Sequence, residues 1–143
     1  MQIGRNWTKD HQPKTDVARH GIALVERTLE IIRQINPRYF VIENPRAKLR
    51  KLPMMQSLER RTVTYCQYGE KRMKPTDLWG VFPAGLLLSD PCKNGAPCHV
   101  SAPRGSTTGT QGMDSAESAK IPSPLALAIC LAIESTTPTA ERT

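Results

Sequence analysis

Residues 17–45, VARHGIALVERTLEIIRQINPRYFVIENP, decide the fold class of this chain. Between residues 17 and 35 the apolar side chains recur at helical spacing, which predicts an amphipathic helix with Glu26 and Arg27 on its polar face. Either Thr15 or Asp16 is placed to cap the start of this helix. The pair Asn36-Pro37 ends it, because the residue before a proline avoids the helical region.

A short strand is predicted directly after this helix. Residues 39–42, YFVI, all favour β-structure and show no alternation, which indicates a strand buried on both faces. A helix that is followed by a tight turn and a buried strand is half of a βαβ unit. The sequence therefore predicts an α/β fold.

The rest of the chain is predicted to contain fewer regular elements. We expect a second strand at 62–66, a basic loop at 71–76 and a short strand at 78–82. Residues 83–122 are rich in Pro, Gly, Ser and Thr and should be irregular. Ser123 is expected to cap a closing helix that has Pro124 in its first position, and the apolar run 125–133 predicts that this helix is buried.

These elements divide the chain into four predicted parts. Residues 1–76 form a partial α/β core, and residues 77–119 form a loop-rich region. Residues 120–135 form the closing helix, and residues 136–143 form a frayed tail.

The charge of the chain is concentrated in its first half. The 143 residues carry 20 Lys+Arg and 13 Asp+Glu, for a formal net charge of +7. Residues 1–75 hold 16 basic and 7 acidic residues (+9), whereas residues 76–143 hold 4 and 6 (−2). This asymmetry indicates either a surface for a polyanion, with nucleic acid as the leading candidate, or a well-solvated basic surface.

Composition also limits where the protein works. No apolar run approaches the ~20 residues of a membrane span, and the polar residues 1–14 do not form the apolar part of a signal peptide. We therefore expect a cytoplasmic protein with no membrane partner. In the reducing cytosol the four cysteines are either free thiols or metal ligands.

Glu43-Asn44-Pro45 is the sharpest candidate site. A carboxylate that directly follows a buried strand needs a partner or a ligand, and the carboxyl end of a strand is where open α/β sheets bind ligands. The alternative is that Glu43 and Asn44 cap or fix the loop.

Three basic clusters flank the ends of the two predicted strands and are candidates for phosphate contacts. Each cluster alone is commonly a solvated face, but three of them around one sheet edge favour DNA. The candidate DNA-binding residues are Arg46, Lys48, Arg50, Lys51, Lys71 and Lys74, with Arg60-Arg61 and Arg72 nearby.

A metal site is the third candidate. PCKNGAPCH (91–99) supplies Cys92, Cys98 and His99, and Cys66 offers a further thiolate for a tetrahedral zinc ion. The spacing of five residues between the two cysteines is longer than the usual two to four. Reduced cysteines that anchor a loop are therefore the alternative.

Several stretches together resemble one family. They are FVIENP (40–45), RTVTYCQYGEKRMKPTDLW (61–79), PCKNGAPCH (91–99), APRGSTTGTQG (102–112) and KIPSPLALAI (120–129). They resemble the C-terminal portion of the short DNA (cytosine-5) methyltransferases of phages and prophages. The resemblance implies an incomplete Rossmann-like, methyltransferase-type sheet, an irregular loop-rich C-terminal region and a closing helix.

The resemblance also implies roles for individual residues. Glu43 and Asn44 stand where the family binds the flipped cytosine, and Arg72 approximates, with Gln67, an element that organises the active site. Ile121 and Pro122 fall in the segment that completes the S-adenosylmethionine pocket. Residues 77–119 stand where the family recognises its target sequence.

Two parts of the family pattern are not found in this sequence. They are the Phe-x-Gly-x-Gly-like cofactor loop and a nucleophilic Pro-Cys ahead of the Glu-Asn pair, since Pro91-Cys92 comes after it. We therefore expect a truncated methyltransferase-like protein, inactive alone, that works as a homo-oligomer or with a complementary methyltransferase chain. The alternative is a small DNA-binding or zinc-stabilised regulatory or interaction module of phage origin without catalysis.

Overall fold

A computed structural model describes residues 5–101 and 115–136 of the chain. The elements in chain order are helix α1 (Asp16–Ile35), strands β1 (Phe40–Pro45), β2 (Glu59–Thr64) and β3 (Pro75–Val81), and helices α2 (Ser115–Ala119) and α3 (Ser123–Glu134). Three 3₁₀ turns, Lys48–Lys51, Pro53–Met55 and Tyr65–Tyr68, join the strands. The predicted glycine-rich motif 102–112 and the tail from residue 137 lie outside the described residues.

Helix α1 starts and ends as the sequence predicts. The Thr15 hydroxyl accepts a hydrogen bond from the Ala18 N–H (3.3 Å), so Thr15 and not Asp16 is the cap. At the other end Asn36 adopts the left-handed conformation (φ 48°), and its N–H donates to the Ile32 carbonyl at 2.8 Å. Local cap chemistry therefore determines both ends of this helix.

The first strand is longer and less buried than expected. The sequence predicts a strand at 39–42 that is buried on both faces, whereas β1 continues through Glu43 and Asn44 to Pro45. Its first five residues are only half-buried and Pro45 is exposed. The prediction of full burial is wrong. Glu43 and Asn44 belong to the strand itself and not to a following loop.

The three strands form one antiparallel sheet in the order β1-β3-β2. The predicted α/β content is confirmed, but a Rossmann-like sheet is not, since that fold is built from mostly parallel strands. Strand β2 ends before the 3₁₀ turn Tyr65–Tyr68, which Gly69 closes with φ 91°. The sequence placed the end of this strand two residues later.

The described residues form two compact units. The first contains residues 5–61 and 77–81, and the second contains residues 62–76, 82–101 and 115–136. The core of the first unit is built from Trp7, Ala18, Leu49, Leu52, Met55 and Trp79. Helix α1 packs against this core through Ile22, Val25 and Leu29, which lie on one side of its apolar surface.

Helix α1 also carries apolar side chains that the core does not cover. Val17 is 74% exposed and Ile35 is 69% exposed, and Leu24 and Ile31 are exposed as well. With about 100° between successive residues, these side chains occupy the sector next to the buried one. The apolar surface of α1 is therefore wider than the surface that it buries.

The closing helix α3 belongs to the second unit and is less buried than its composition predicts. Leu125 and Ala132 are buried, but Leu127 is 57% and Leu131 is 54% exposed. Its cap is Pro122, whose carbonyl accepts from the N–H groups of Leu125 and Ala126, and not Ser123 as expected. The predictions of complete burial and of a Ser123 cap are both wrong.

The stretch from 116 to 134 meets the length and composition of a membrane span, with a mean hydropathy of 1.3 over its best 18-residue window. Its apolar residues are interrupted at several positions, so no uninterrupted apolar run marks it in the sequence. In the structure, residues 120–122 divide this stretch into α2 and α3. At a rise of 1.5 Å per residue, the 12 residues of α3 extend over about 18 Å, less than the ~30 Å of a bilayer core.

Strand pairing at Gly80 leaves no room for a side chain. A Cβ atom at this position would lie 1.9 Å from the carbonyl oxygen of Phe40 on β1. We expect Gly80→Ala to lower the free energy of unfolding by about 1–3 kcal/mol or more, because backbone and not a flexible side chain must move. Urea denaturation measures this change.

Gly85 provides the matched control for this substitution. A Cβ atom there would have no atom within 4 Å, so Gly85→Ala should leave the free energy of unfolding nearly unchanged. Equal stability of the two variants would contradict the pairing of β1 with β3.

Candidate functional site

Glu43 and Asn44 occupy the last positions of β1, where both are half-buried. Successive residues of a strand project from opposite faces, so the two side chains leave the sheet on different sides. The Asn44 amide donates to the Pro45 carbonyl at 2.9 Å. This contact supports the loop-fixing interpretation for Asn44, and the predicted role of Glu43 stays a prediction.

The predicted DNA-binding residues fall into two sets. Arg46, Lys51 and Lys71 are exposed, as phosphate contacts require. Lys48, Arg50 and Lys74 instead make contacts within the protein. A count of basic residues in the sequence does not separate these sets, because both kinds stand in the same clusters.

Lys48 is a buried cation. Its side chain is nearly inaccessible (1% exposed), its Nζ contacts Nδ1 of His11, and it lies 5.3 Å from the centroid of the Trp7 ring. Burial, assisted by the nearby charge of Lys51, lowers the pKa of Lys48 from its ordinary value of 10.5. A phosphate contact needs an exposed cation, so the burial of Lys48 does not favour the predicted role, which stays a prediction.

Arg50 forms a two-point ion pair with Asp77. Its Nε donates to Oδ2 at 2.9 Å and its Nη2 donates to Oδ1 at 2.5 Å. The Asp77 side chain is completely buried, whereas that of Arg50 is 24% exposed. The guanidinium therefore neutralises a buried carboxylate, which does not favour a phosphate contact by Arg50, and its predicted DNA-binding role stays a prediction.

Lys74 and Arg72 lie in the second unit, around one small cavity. The cavity is lined by Tyr65, Glu70, Arg72, Lys74, Glu117 and Lys120. Lys74 Nζ donates to the Ser118 carbonyl at 2.5 Å and lies 4.3 Å from the centroid of the Tyr65 ring. Lys74 thus contacts both α2 and the 3₁₀ turn at 65–68. This structural role differs from the phosphate contact that the sequence predicts for Lys74.

The predicted cofactor residues lie at the start of α3. Ile121 is 47% exposed and Pro122 is buried. Gln67, which the resemblance pairs with Arg72, instead directs its amide to the Cys98 sulfur at 3.7 Å. The predicted roles of these residues stay predictions.

The four predicted metal ligands come together in the second unit. The ligand atoms of Cys66, Cys92, Cys98 and His99 all lie within 4.8 Å of one another. The Cys66 sulfur is 3.1 Å from that of Cys92 and 3.7 Å from that of Cys98. Nδ1 of His99 is 3.6 Å from the Cys92 sulfur and 3.5 Å from the Cys98 sulfur.

Backbone contacts on both sides of the segment 92–100 hold this cluster together. The Cys92 N–H donates to the Thr64 hydroxyl at 2.9 Å, and the Val100 N–H donates to the Lys71 carbonyl at 2.8 Å. Between them Gly95, with φ 87°, provides the left-handed turn that returns the chain. The five residues between Cys92 and Cys98 therefore form this turn.

The thiols of the cluster differ in acidity. Burial, together with a hydrogen bond to Cys92, raises the pKa of Cys66 to about 12. Burial acts to raise the pKa of Cys92 as well, but hydrogen bonds from Cys66, Thr64 and other neighbours outweigh it and lower that pKa. Cys92 is therefore the first of these two thiols to become a thiolate, which is the form that binds metals.

Comparison with known proteins gives one informative similarity. The chain is 30% identical over 97 residues to a "Probable DNA (cytosine-5)-methyltransferase" of Frog virus 3 (isolate Goorha). The match covers 64% of this chain and 45% of the viral protein, so the chain spans less than half the length of that relative. No family model matches the chain, and no solved structure matches it.

This similarity supports a methyltransferase-like relationship for the chain. It agrees with the resemblance carried by the FVIENP and RTVTYCQYGEKRMKPTDLW stretches. Asp77 was not among the predicted site residues. The feature that indicates its importance is an acidic residue inside the apolar stretch of β3. Trp7 could stack on a base, but burial is the commoner role of an aromatic side chain, and this one is 2% exposed in the core.

The buried ion pair gives a stability prediction. Arg50→Met leaves the Asp77 carboxylate buried without its cation, so we expect the free energy of unfolding to fall by about 3–5 kcal/mol. Urea denaturation at neutral pH measures this loss. Arg46→Met removes the same charge from an exposed position and should change stability by less than about 0.5 kcal/mol.

A double variant separates the loss of the pair from the loss of side-chain packing. Arg50→Met combined with Asp77→Leu removes the stranded charge and should be more stable than Arg50→Met alone. If the double variant is the less stable of the two, the ion pair is not the source of the loss.

Proposed function

We propose that this chain is the target-binding part of a DNA (cytosine-5) methyltransferase of the phage and prophage type, corresponding to the C-terminal portion of such an enzyme. The observation that carries the proposal is the 30% identity with the viral methyltransferase over 97 residues. In this role the chain binds DNA and holds the target cytosine, and S-adenosylmethionine is the methyl donor.

Glu43 is the residue that we assign to the target base. A carboxylate accepts a hydrogen bond from the 4-amino group of cytosine, and its protonated form donates to N3 of the same base. Thymine carries an oxygen in place of the amino group and a proton on N3, so it does not match this pattern. The half-buried position at the end of β1 supports the assignment, because partial exclusion of water strengthens such hydrogen bonds.

The exposed cations near this position support a DNA contact. Arg46 and Lys51 belong to the same compact unit as Glu43 and follow it in the chain. Lys71, in the second unit, is the remaining exposed member of the predicted set. These three residues are the phosphate contacts that we propose in place of the original six.

Methyl transfer needs a cofactor loop and a nucleophilic Pro-Cys. In the family both come before the Glu-Asn pair, and neither is found at that place in this sequence. We propose that the cofactor loop and the nucleophilic Pro-Cys are supplied by another polypeptide or by residues beyond this sequence, with Arg72, Ile121 and Pro122 completing the site. A homo-oligomer is the other assembly that we consider, and the cytoplasm is the proposed location. Transfer of labelled methyl groups to DNA by the purified chain alone would contradict the proposal that the cofactor loop and the nucleophile come from outside these residues.

Salt dependence tests the DNA contact. Each phosphate contact adds about 0.9 to the slope of log affinity against log salt, so Arg46→Met with Lys51→Met should lower that slope by about 2. Fluorescence anisotropy with a labelled duplex between about 50 and 200 mM salt measures it.

The matched control for this experiment removes two cations from helix α1. Arg19→Met with Arg27→Met makes the same charge change, and both of these arginines pair with acids on their own helix. This control should keep the slope of the unmodified protein. An equal loss of slope in both double variants would show a general effect of charge, and a flat salt profile of the unmodified protein would contradict DNA binding.

Base preference tests Glu43. Against duplexes with one unpaired cytosine or thymine, we expect the protein to prefer cytosine by about tenfold, since a good base contact is worth about 1–3 kcal/mol. Glu43→Gln should remove the preference and keep the salt slope, while Glu26→Gln on the exposed face of α1 should change neither. Competition binding with the two duplexes gives the ratio.

A non-catalytic DNA-binding module is the second candidate, which the Cys/His cluster favours because such clusters stabilise small modules. Such a module would bind DNA with a normal salt slope and no preference for cytosine. Equal binding of the two duplexes by the unmodified protein would therefore select this candidate and overturn the assignment of Glu43.

A further inference from the structure

The Cys/His cluster has the chemistry of a structural zinc centre. It contains three cysteines and one histidine, a donor set that is frequent in structural zinc sites. All four residues belong to the second compact unit. Every described cysteine of the cluster is a free thiol, so none is occupied by a disulfide.

The distances in the cluster match the edges of a tetrahedron around zinc. With Zn–S near 2.3 Å and Zn–N near 2.0–2.1 Å, two sulfur ligands lie about 3.7 Å apart, and a sulfur and a nitrogen lie about 3.5 Å apart. The cluster shows 3.7 Å between Cys66 and Cys98, and 3.6 and 3.5 Å from His99 Nδ1 to the Cys92 and Cys98 sulfurs.

The distance between the Cys66 and Cys92 sulfurs, 3.1 Å, is shorter than a tetrahedral edge. It is also about 1 Å longer than the ~2.05 Å of a disulfide bond. The two sulfurs therefore need to separate by about 0.6 Å to become zinc ligands, whereas a disulfide needs a larger movement in the opposite direction.

The histidine ring is oriented by the sulfurs. Its Nδ1 faces two thiols, and its Nε2 is buried without a hydrogen-bond partner among the described residues. A cation at the centre of the cluster explains why the half-buried imidazole directs Nδ1 at two thiols. Binding through Nδ1 then places the ring proton on Nε2.

We propose that Cys66, Cys92, Cys98 and His99 bind one Zn²⁺ ion that fixes the segment 92–100 to the 3₁₀ turn following β2. Four protein ligands fill a tetrahedral zinc ion, so the site is structural and leaves no position open for a substrate. The buried Cys66 sulfur closes one side, and the exposed Cys98 gives the ion a path from solvent. This inference is independent of the proposed function.

The site also assigns a role to Pro91-Cys92. This dipeptide has the composition of the family's nucleophile, but a Cys92 thiolate that donates a lone pair to zinc is a weaker nucleophile than a free thiolate. The proposal therefore assigns Cys92 as a metal ligand rather than as a nucleophile.

Elemental analysis and cobalt substitution of the full chain test the site. Protein that is purified under reducing conditions with zinc present should contain about one equivalent of zinc. Replacement by Co²⁺ should give the visible absorption of a tetrahedral ion and thiolate-to-cobalt charge-transfer bands. Zinc below about half an equivalent together with no such cobalt spectrum would overturn the proposal.

Two variants identify the ligands. Cys92→Ser should lose most of the zinc, and the thermal midpoint of its unfolding should no longer fall when a chelator is added. Cys130→Ser changes an exposed cysteine on α3 outside the cluster and should keep both the zinc and the response to chelator. Equal loss of zinc in the two variants would overturn the assignment.

A third variant guards against simple misfolding. His99→Cys exchanges one zinc ligand for another, so it should retain about one equivalent of zinc and show stronger thiolate-to-cobalt bands. Unchanged cobalt bands in His99→Cys would show that residue 99 is not a ligand and would overturn the four-residue site. None of these measurements depends on the preference for cytosine, so the two proposals fail separately.

Discussion

The buried carboxylate of Asp77 is the constraint on which the first compact unit depends. It lies on β3, the middle strand of the sheet, and has no exposed surface. A carboxylate in this environment is tolerated only with a well-placed cation, and Arg50 provides it through two hydrogen bonds. The 3₁₀ turn Lys48–Lys51 is therefore tied to the central strand, which also places Leu49 in the core and Lys48 between His11 and Trp7.

The internal use of these cations changes the meaning of the basic N-terminal half. The charge asymmetry of the sequence is real, but part of it neutralises or covers the protein's own groups. Only the cations that remain exposed are suited to attract a polyanion, and they are fewer than the clusters suggest. A basic residue that contacts an aromatic ring or a buried acid thus stabilises the fold and adds little to the positive charge of the surface.

Elements whose ends depend on nearby residues were predicted well from the sequence. The strand order was not, because it depends on pairing between distant residues. Thr15 and Asn36-Pro37 define α1 because caps and prolines act within a few residues. The antiparallel order β1-β3-β2 depends on contacts between strands that are far apart in sequence, and no local pattern encodes them. Cys66 was predicted as a zinc ligand from its residue type, but its approach to Cys92 depends on the turn around Gly95, which spacing alone does not reveal.

The wide apolar surface of α1 has a consequence for how the native packing is selected. Its apolar side chains cover roughly half of the helix circumference, and rotation of the helix about its axis would exchange one apolar sector for another. Hydrophobicity therefore sets only weakly which sector faces inward. In the structure the small Ala18 is buried at 2% exposure, whereas the larger Val17 and Leu24 are 74% and 57% exposed. Polarity thus directs the apolar half of α1 inward, and side-chain volume helps to select the sector of that half that packs on the core.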